Sequence, residues 1–514
     1  MPNDKNQRPL LTRREFLEDG AALAAALGLP GSAAAERPLP AERAAPPSDR
    51  IALGCVGVGA QGTRVMMDFL KFPDVQVVAV CDVNRETSDY SEWGKGEILG
   101  KERRLLSEPG WGADWKGPTC GRAPAARLVD AYYSKVRRQP GYRACSAYND
   151  FRDMIAKERD LDAVVVCTPD HWHAFISVYA LRHRKHVFSQ KAMAHTIAEC
   201  GWMAKAARET GLATQVAVMD EASHATRLLR EWVAAGVIGQ VREVHNWSQR
   251  PYWPQGLDRP AEAQPVPDGF DWDLWLGPAP ERPFNHVYLP FVWRGWNDFG
   301  EGAIGDMGNY SFDTLFRVLE LTAPTHVEGS STPLFPESFP VGELVRWEFP
   351  ARSGRAPVAI NWYDAHLRPP RPPELAPGEL MSDPEDGEGM LFVGEEGKIL
   401  CGFEGQHPRL IPASRAEAFT PPPDNLPKSP GAYREWLNAI RAGRGGPPPG
   451  ANYEFEQQVV EALLLGCIAV RTGTKLEWDA ENKSITSLAE GKPVALADAN
   501  AQLNPPRRSP WEMT

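Results

Sequence analysis

The segment Ile51-Ala52-Leu53-Gly54-Cys55-Val56-Gly57-Val58-Gly59-Ala60-Gln61-Gly62 constrains this chain more than any other. An apolar run ends in three glycines spaced G-x-G-x-x-G, and an amphipathic stretch, Thr63 to Leu70, follows at once. That order predicts a buried strand, a tight turn and a helix. Gly57 permits the turn, Gly59 lets the backbone approach a pyrophosphate, and Gly62 lets the helix pack closely on the strand. The helix start, with Ala60 and Gln61, offers free N–H groups and a partial positive charge to phosphates. Asp82 ends the next apolar run, Val75 to Cys81, twenty residues after Gly62. A carboxylate there bonds ribose hydroxyls and repels a 2′-phosphate, so NAD is expected in preference to NADP.

From Ile51 to about Lys191, apolar runs alternate with helical stretches, as in a parallel sheet covered on both faces. Ala163 to Cys167 is one such run, closed by Thr168-Pro169-Asp170, and His186 to Ser189 is another. Residues 91–122, rich in Gly, Trp and charge, read as an insertion after the second strand. Beyond Thr214 the pattern changes. Val241 to Trp247, His326 to Ser331, Glu343 to Phe349 and Val358 to Tyr363 read as longer, partly alternating strands of an open, largely antiparallel sheet. Tyr433 to Arg441 and Glu454 to Thr472 read as helices. The expected fold is α/β, with a Rossmann domain over 49–190. An α+β domain for substrate and oligomerisation follows over 191–514, its last helices able to pack back on the first.

At 514 residues the chain exceeds one ordinary core, and a formal charge of −11 lacks the basic face a nucleic-acid partner needs. Residues 1–35 read as a targeting leader. Thr12-Arg13-Arg14-Glu15-Phe16-Leu17 is a twin-arginine pattern, then come the apolar run Ala21 to Leu29 and the small residues Ala33-Ala34-Ala35. That run is far short of the roughly 20 residues that span a bilayer. The reading implies recognition by the twin-arginine export machinery, a periplasmic or otherwise exported location and no membrane span. The Pro- and Ala-rich stretch that follows, over 36–48, reads as a linker. Twin-arginine export moves folded proteins, which suits an enzyme that captures its cofactor before leaving the cytoplasm. None of the eight cysteines forms a Cys-x-x-Cys pair, and several lie in apolar runs, so they read as buried thiols.

Several motifs run through nearly the whole mature chain: Cys81-Asp82-Val83, Cys167-Thr168-Pro169-Asp170-His171-Trp172-His173 and His186-Val187-Phe188-Ser189-Gln190-Lys191. Later come Trp275-Leu276-Gly277-Pro278, Trp293-Arg294-Gly295-Trp296, Gly305-Asp306-Met307-Gly308-Asn309-Tyr310 and Leu391-Phe392-Val393-Gly394. With the glycine fingerprint, these resemble the glucose-fructose oxidoreductase, inositol dehydrogenase and rhizopine-catabolism group, the Gfo/Idh/MocA family, and look most like its exported branch. The resemblance implies a Rossmann domain plus an α+β domain whose open sheet often mediates oligomers, so a homo-oligomer is expected. It also implies that Lys191 is the catalytic lysine.

Two positions depart from the family pattern. Gln190-Lys191-Ala192 stands where the family carries Glu-Lys-Pro. Losing proline removes the inexpensive route to a cis peptide. Losing glutamate removes a charge that holds the lysine protonated, so Lys191 is expected to titrate lower than in relatives. Tyr310 stands where the family has a catalytic His, four residues after Asp306, although some sugar oxidoreductases of the group use Tyr. A phenol beside an ammonium can exchange a proton with a sugar hydroxyl.

The candidate cofactor contacts are Gly57, Gly59, Ala60, Gln61, Gly62, Asp82, Thr168, Pro169, His171, Gln190 and Lys191. His171 also reads as a satisfied polar residue. Candidate substrate contacts are His173, Arg294, Trp296 and Asn309. Trp247, Trp253, Trp272, Trp275, Trp293 and Trp296 crowd into one stretch, and indole faces with interleaved donors suit a sugar ring. Taken singly each Trp reads as core, while one or two of the cluster are expected to line the pocket. His171 and His173 lack a third ligand, so no metal is expected. In the reading that follows, Tyr310, helped by Lys191 and oriented by Asp306, removes a hydroxyl proton while hydride passes to NAD⁺. Outside the cytoplasm no ready pool reoxidises NADH, which favours a bound, internally recycled cofactor. The alternatives are an NAD-dependent glycosidase working through a transient keto sugar, and a catalytically silent, cofactor-holding carbohydrate-binding protein.

Overall fold

The computed structural model describes residues 49–511, apart from 140, 141, 143, 219–221, 353, 383–386, 418, 424 and 490–493. The leader and linker expected over 1–48 lie outside the described residues. Among the described residues the first sheet has six strands: β1 (Ile51–Val56), β2 (Val75–Cys81), β3 (Ser146–Tyr148), β4 (Ala163–Val166), β5 (His186–Ser189) and β6 (Thr214–Val216). All pair in parallel, in the order β3-β2-β1-β4-β5-β6. The order reverses between β1 and β4, which opens a crevice at the carboxyl ends of the strands. The glycine loop, Asp82, Thr168 and Lys191 follow β1, β2, β4 and β5 at that edge. The sheet runs past the expected boundary at 190. Its last strand is the short Thr214-Gln215-Val216, which has no apolar run to announce it.

The helices that place the site are α1 (Ala60–Leu70), α2 (His173–Arg182), α3 (Ile197–Thr210), α4 (Gly302–Leu319), α5 (Ala432–Ala442) and α6 (Tyr453–Thr472). α3 opens on a capping box in which the Thr196 hydroxyl accepts from Glu199 N and the Glu199 carboxylate accepts from Thr196 N. On one face of the sheet, Leu53, Met66, Phe69 and Phe188 pack with Trp436 and Leu437 of α5. The Tyr433 ring lies 5.3 Å from that of Phe188, nearly parallel. On the other face, Val164, Ile176 and Met203 merge with Phe312, Trp347 and Leu463 in one apolar cluster. The two domains therefore share a core.

The second sheet holds β7 (Val241–Trp247), β8 (His326–Ser331), β9 (Glu343–Phe349), β10 (Val358–Tyr363), β11 (Gly389–Gly394), β12 (Lys398–Cys401), β13 (Arg409–Ile411), β14 (Lys475–Asp479) and β15 (Ser484–Leu488). Its order among the described residues is β13-β12-β11-β7-β10-β9-β8-β14-β15, antiparallel except where β7 meets β10. β9 alternates as a half-buried strand must: Val345, Trp347 and Phe349 face inward, and Leu344, Arg346 and Glu348 do not. α4 and α6 cross closely because residue 308 is glycine, where a Cβ would lie 2.5 Å from Leu463. At the start of α6 the Tyr453 hydroxyl lies 3.1 Å from Ser177 Oγ and 2.9 Å from Ser189 Oγ, tying that helix to α2 and to the end of β5. Beyond α6, Arg507 pairs with Glu199, Arg508 pairs with Asp273, and the Trp511 ring packs 4.7 Å from Trp172. No helix among the described residues is long and apolar enough to cross a membrane.

Candidate active site

The glycine loop leaves no room for side chains. Gly57 has φ +79°, and a Cβ there would lie 2.7 Å from the carbonyl of Cys167. A Cβ on Gly62 would lie 1.8 Å from Gly57 O, so only glycine lets α1 start this close to β1. No side chain caps the first turn of α1, and its leading amides have no partner within the helix. Asp82 accepts from Val58 N and Asn84 N at 2.8 Å each. Burial raises its pKa to about 6, against the pull of those amides and of Arg122. A carboxylate has acceptor capacity beyond two bonds. Uncapped amides, a backbone cradle and an acid at the end of β2 fit a dinucleotide.

Across the crevice, Lys191 and α4 meet. The Lys191 ammonium donates to Asp306 Oδ1 at 2.7 Å and to Asp306 O at 2.6 Å, and it stands 4.9 Å from the centre of the Tyr310 ring. Asp306 and Tyr310 are four residues apart, one turn of α4, so they share a face. Arg294, from the short helical turn Val292–Gly295, donates its Nε to the same Asp306 Oδ1 at 2.7 Å. Burial disfavours the charge on Asp306, but Lys191 and Arg294 outweigh it and hold the carboxyl well below its usual range. Burial also works against the Lys191 charge. Asp306 and Tyr310 prevail there, and the ammonium ends above the ordinary lysine value. The expectation that Lys191 titrates lower than in relatives rests on the missing neighbour at 190. Asp306 supplies the counter-charge from a distant part of the chain. The Lys191–Ala192 peptide bond is cis, although residue 192 is not proline.

Other candidates lie differently. His171 is buried, with Nε2 3.0 Å from Trp275 O and Nδ1 3.4 Å from Phe299 O. Both ring nitrogens face second-domain backbone. His173, fully buried, stands 2.5 Å from Ala192 O and 2.9 Å from Thr168 O. It braces the Lys191 segment, and burial lowers its pKa to about 4. Trp296 is also core, with its indole N–H donating to Val287 O at 3.0 Å. Asn309 is fully buried on α4 and donates to Gly305 O. Both side chains are buried, and Asn309 Oδ1 has no partner among the described residues. Gln190 is buried and donates its backbone N–H to Val166 O at 2.7 Å. Thr168 and Pro169 follow β4 at the same edge, and the Thr168 hydroxyl is buried with no partner among the described residues.

The indoles divide as their burial dictates. Trp247, Trp253 and Trp275 are core, and Trp272 stacks on Trp275 at 4.9 Å. Trp293 is half-buried, and the Arg294 guanidinium lies 4.4 Å from its ring and 4.6 Å from that of Phe291. Two buried acids escaped the sequence reading. Asp170 faces Lys191, Arg294 and Asp306, and burial raises it to about 8. Glu301 is 2% exposed with both carboxylate oxygens unpartnered among the described residues, and burial lifts it well above its usual range. Asp170 stood in view within the Thr168-to-His173 motif. Glu301 carries no local signal, because its burial comes from α4 and α6 closing over it.

Residues 122–218 match the description "Oxidoreductase family, NAD-binding Rossmann fold". Residues 226–338 match "Oxidoreductase family, C-terminal alpha/beta domain". Over 168 residues the chain is 25% identical to a Shewanella baltica protein named Glycosyl hydrolase family 109 protein, covering 32% of this chain and 28% of that one. Over 126 residues it is 31% identical to an inositol 2-dehydrogenase of Salmonella paratyphi B, covering 24% of this chain and 34% of that one. The matched segments thus span about a third of these curated relatives. A WlbA dehydrogenase from Bordetella pertussis, solved with NADH and UDP-GlcNAcA, superposes with a TM-score of 0.51 at 16% identity, over 84% of this chain and 99% of that one. At that identity the likeness is one of fold.

Proposed function

This chain belongs to the Gfo/Idh/MocA oxidoreductase family, and we propose that it oxidises a hydroxyl group of a sugar or glycoside with NAD as its redox partner. The carrying observation is the meeting of Lys191, Asp306 and Tyr310 across the crevice from the glycine loop. A bound nicotinamide would supply the hydride acceptor. Gly57, Gly59, Gly62 and the start of α1 would hold the diphosphate, and Asp82 would take the ribose hydroxyls in preference to a 2′-phosphate. The ammonium beside its ring stabilises Tyr310 as the phenolate, which takes the hydroxyl proton and becomes the neutral phenol as hydride leaves the carbon. Asp306, itself held by Arg294, fixes the ammonium in place. The buried Asp170 offers a further proton-holding group behind the lysine.

Export through the twin-arginine leader would part the protein from the cytoplasmic pool that reoxidises NADH, so a retained cofactor would be reoxidised in place by a second sugar, reduced as the first is oxidised. A second reading, glycoside cleavage through a transient keto sugar, is favoured by the match to relatives named Glycosyl hydrolase family 109 protein. Absorbance at the reduced-nicotinamide band, followed across a panel of sugars and aryl glycosides, separates the readings. A band that rises or bleaches with sugar supports oxidoreduction. Aglycone release without net change in the band supports the glycosidase. A flat band with no turnover across the panel defeats both and leaves a silent binder. Lys191→Ala is expected to lower turnover by about 10²-fold or more, and full activity in that variant removes Lys191 from the mechanism.

A further inference from the structure

The excursion between β2 and the helix Arg122–Ala131 crosses the glycine loop. Its neck is a short pairing: Thr87 and Cys120 exchange backbone bonds at 3.0 Å, and Ser88 Oγ lies 3.0 Å from Thr119 Oγ1. Gly121 N donates to Val58 O at 3.1 Å, which fixes the neck to the loop itself. A second anchor lies further on, where Arg64 of α1 grips Glu97 at 2.6 Å and 3.0 Å. The tip between these anchors carries Tyr90 and Trp93. Tyr90 sits on Gly59: a Cβ added to that glycine would lie 2.7 Å from Tyr90 Cε1 and 3.2 Å from its hydroxyl oxygen. The hydroxyl also bonds the side chain of Asn84. Trp93 reaches the other domain, with its ring 5.9 Å from that of Phe291, beside Arg294. Gly94 and Gly96 follow it with open space around them.

The middle glycine of such a loop lacks a side chain so that a diphosphate can come close. Here the approach is filled by a ring from the same chain. Tyrosine and diphosphate cannot share that space, so a dinucleotide can settle on the loop only after Tyr90 swings away and gives up Asn84. We propose that Tyr90 is the gate of the dinucleotide site, carried on a tip that Trp93 latches to Phe291. This deepens the NAD reading and rests on it. Gating of this kind makes opening a step that precedes binding, so the rate of association levels off as ligand concentration rises. It also slows escape once the tip has closed again.

The test is stopped-flow association of NADH with the full chain freed of any retained nucleotide, read by energy transfer from tryptophan to the nicotinamide. In the wild-type protein the observed rate is expected to reach a plateau with NADH concentration. In Tyr90→Ala it should rise linearly and exceed that plateau by about tenfold or more. Tyr90→Phe keeps the ring and loses only the bond to Asn84, so it should still show a plateau, a few-fold higher. A linear dependence in the wild-type protein overturns the gate without recourse to any variant. Equal rates in wild type and Tyr90→Ala overturn it as well. If neither protein binds NADH, the dinucleotide reading falls and the gate falls with it, an outcome distinct from binding at equal rates.

Discussion

At Lys191 a buried ammonium is held charged by a single carboxylate oxygen that also receives Arg294. Replacing Asp306 by Asn removes the larger counter-charge and leaves burial and Arg294 opposed by Tyr310 alone among the groups that raise it, so the lysine pKa falls. The alkaline limb of the kcat/KM profile should then move down by about one pH unit or more, and an unshifted limb would take Asp306 out of this role. The sign of the stability effect follows from the same directions. Asp306 is depressed in the folded state, so its contribution is present above the ordinary carboxylate range and is lost as pH falls through its lowered value. Lys191 is raised, so its contribution is full below the ordinary lysine value and is lost as pH rises through its elevated one. Asp170 runs the other way. It is pushed up to about 8, so the folded protein keeps a proton that the unfolded chain releases. Stability therefore declines as pH climbs from the usual carboxylate range to that value. Asp170→Asn should flatten the decline, which melting temperatures at about pH 5 and about pH 8 would reveal. Equal slopes in the two proteins would contradict it.

The turn from β1 into α1 is the element with the least tolerance. A methyl group at residue 62 would lie 1.8 Å from Gly57 O, so Gly62→Ala must push α1 off β1. A cost of about 1–3 kcal/mol is expected, read by denaturant unfolding and accompanied by loss of NADH binding. A variant as stable as the wild type and still binding would mean that the turn relaxes freely. This turn was legible because its chemistry is local: spacing, an apolar run before it and an amphipathic run after it. β1, β2, β4, β5 and β7 to β10 were legible for the same reason. β3 and β6 were not, since three-residue strands carry too few side chains to show a period. The site divides along the same line. Lys191, Asp306, Tyr310 and Arg294 could be named from motifs, but the sharing of one carboxylate oxygen by Lys191 and Arg294 could not. The burial of His171, His173, Trp296 and Asn309 could not be read, because it is set by elements far off in sequence, among them the backbone of Trp275 and Phe299. Tyr90 went unread because nothing in the insertion's composition says where its tip will rest.

Across the whole molecule one apolar cluster runs from the nucleotide-binding sheet through α3 and α6 to the second sheet. The C-terminal segment closes it from outside with Arg507 on Glu199, Arg508 on Asp273 and Trp511 against Trp172. Deleting residues 505–514 strips a buried indole and the cationic partner of the Glu199 carboxylate. A loss of about 3 kcal/mol or more is expected, visible as a lower denaturant midpoint. An unmoved midpoint would make this segment an ornament of the surface. The bond network around the Tyr453 hydroxyl carries a consequence in time. The strand end leading to Lys191 is joined to a phenol that enters the chain more than 260 residues later. On the ribosome, the glycine loop can form while most of the second half is still unmade, but the lysine lacks that brace until residue 453 has emerged. Nascent chains halted short of that point would carry a finished nucleotide cradle beside an unfinished catalytic one.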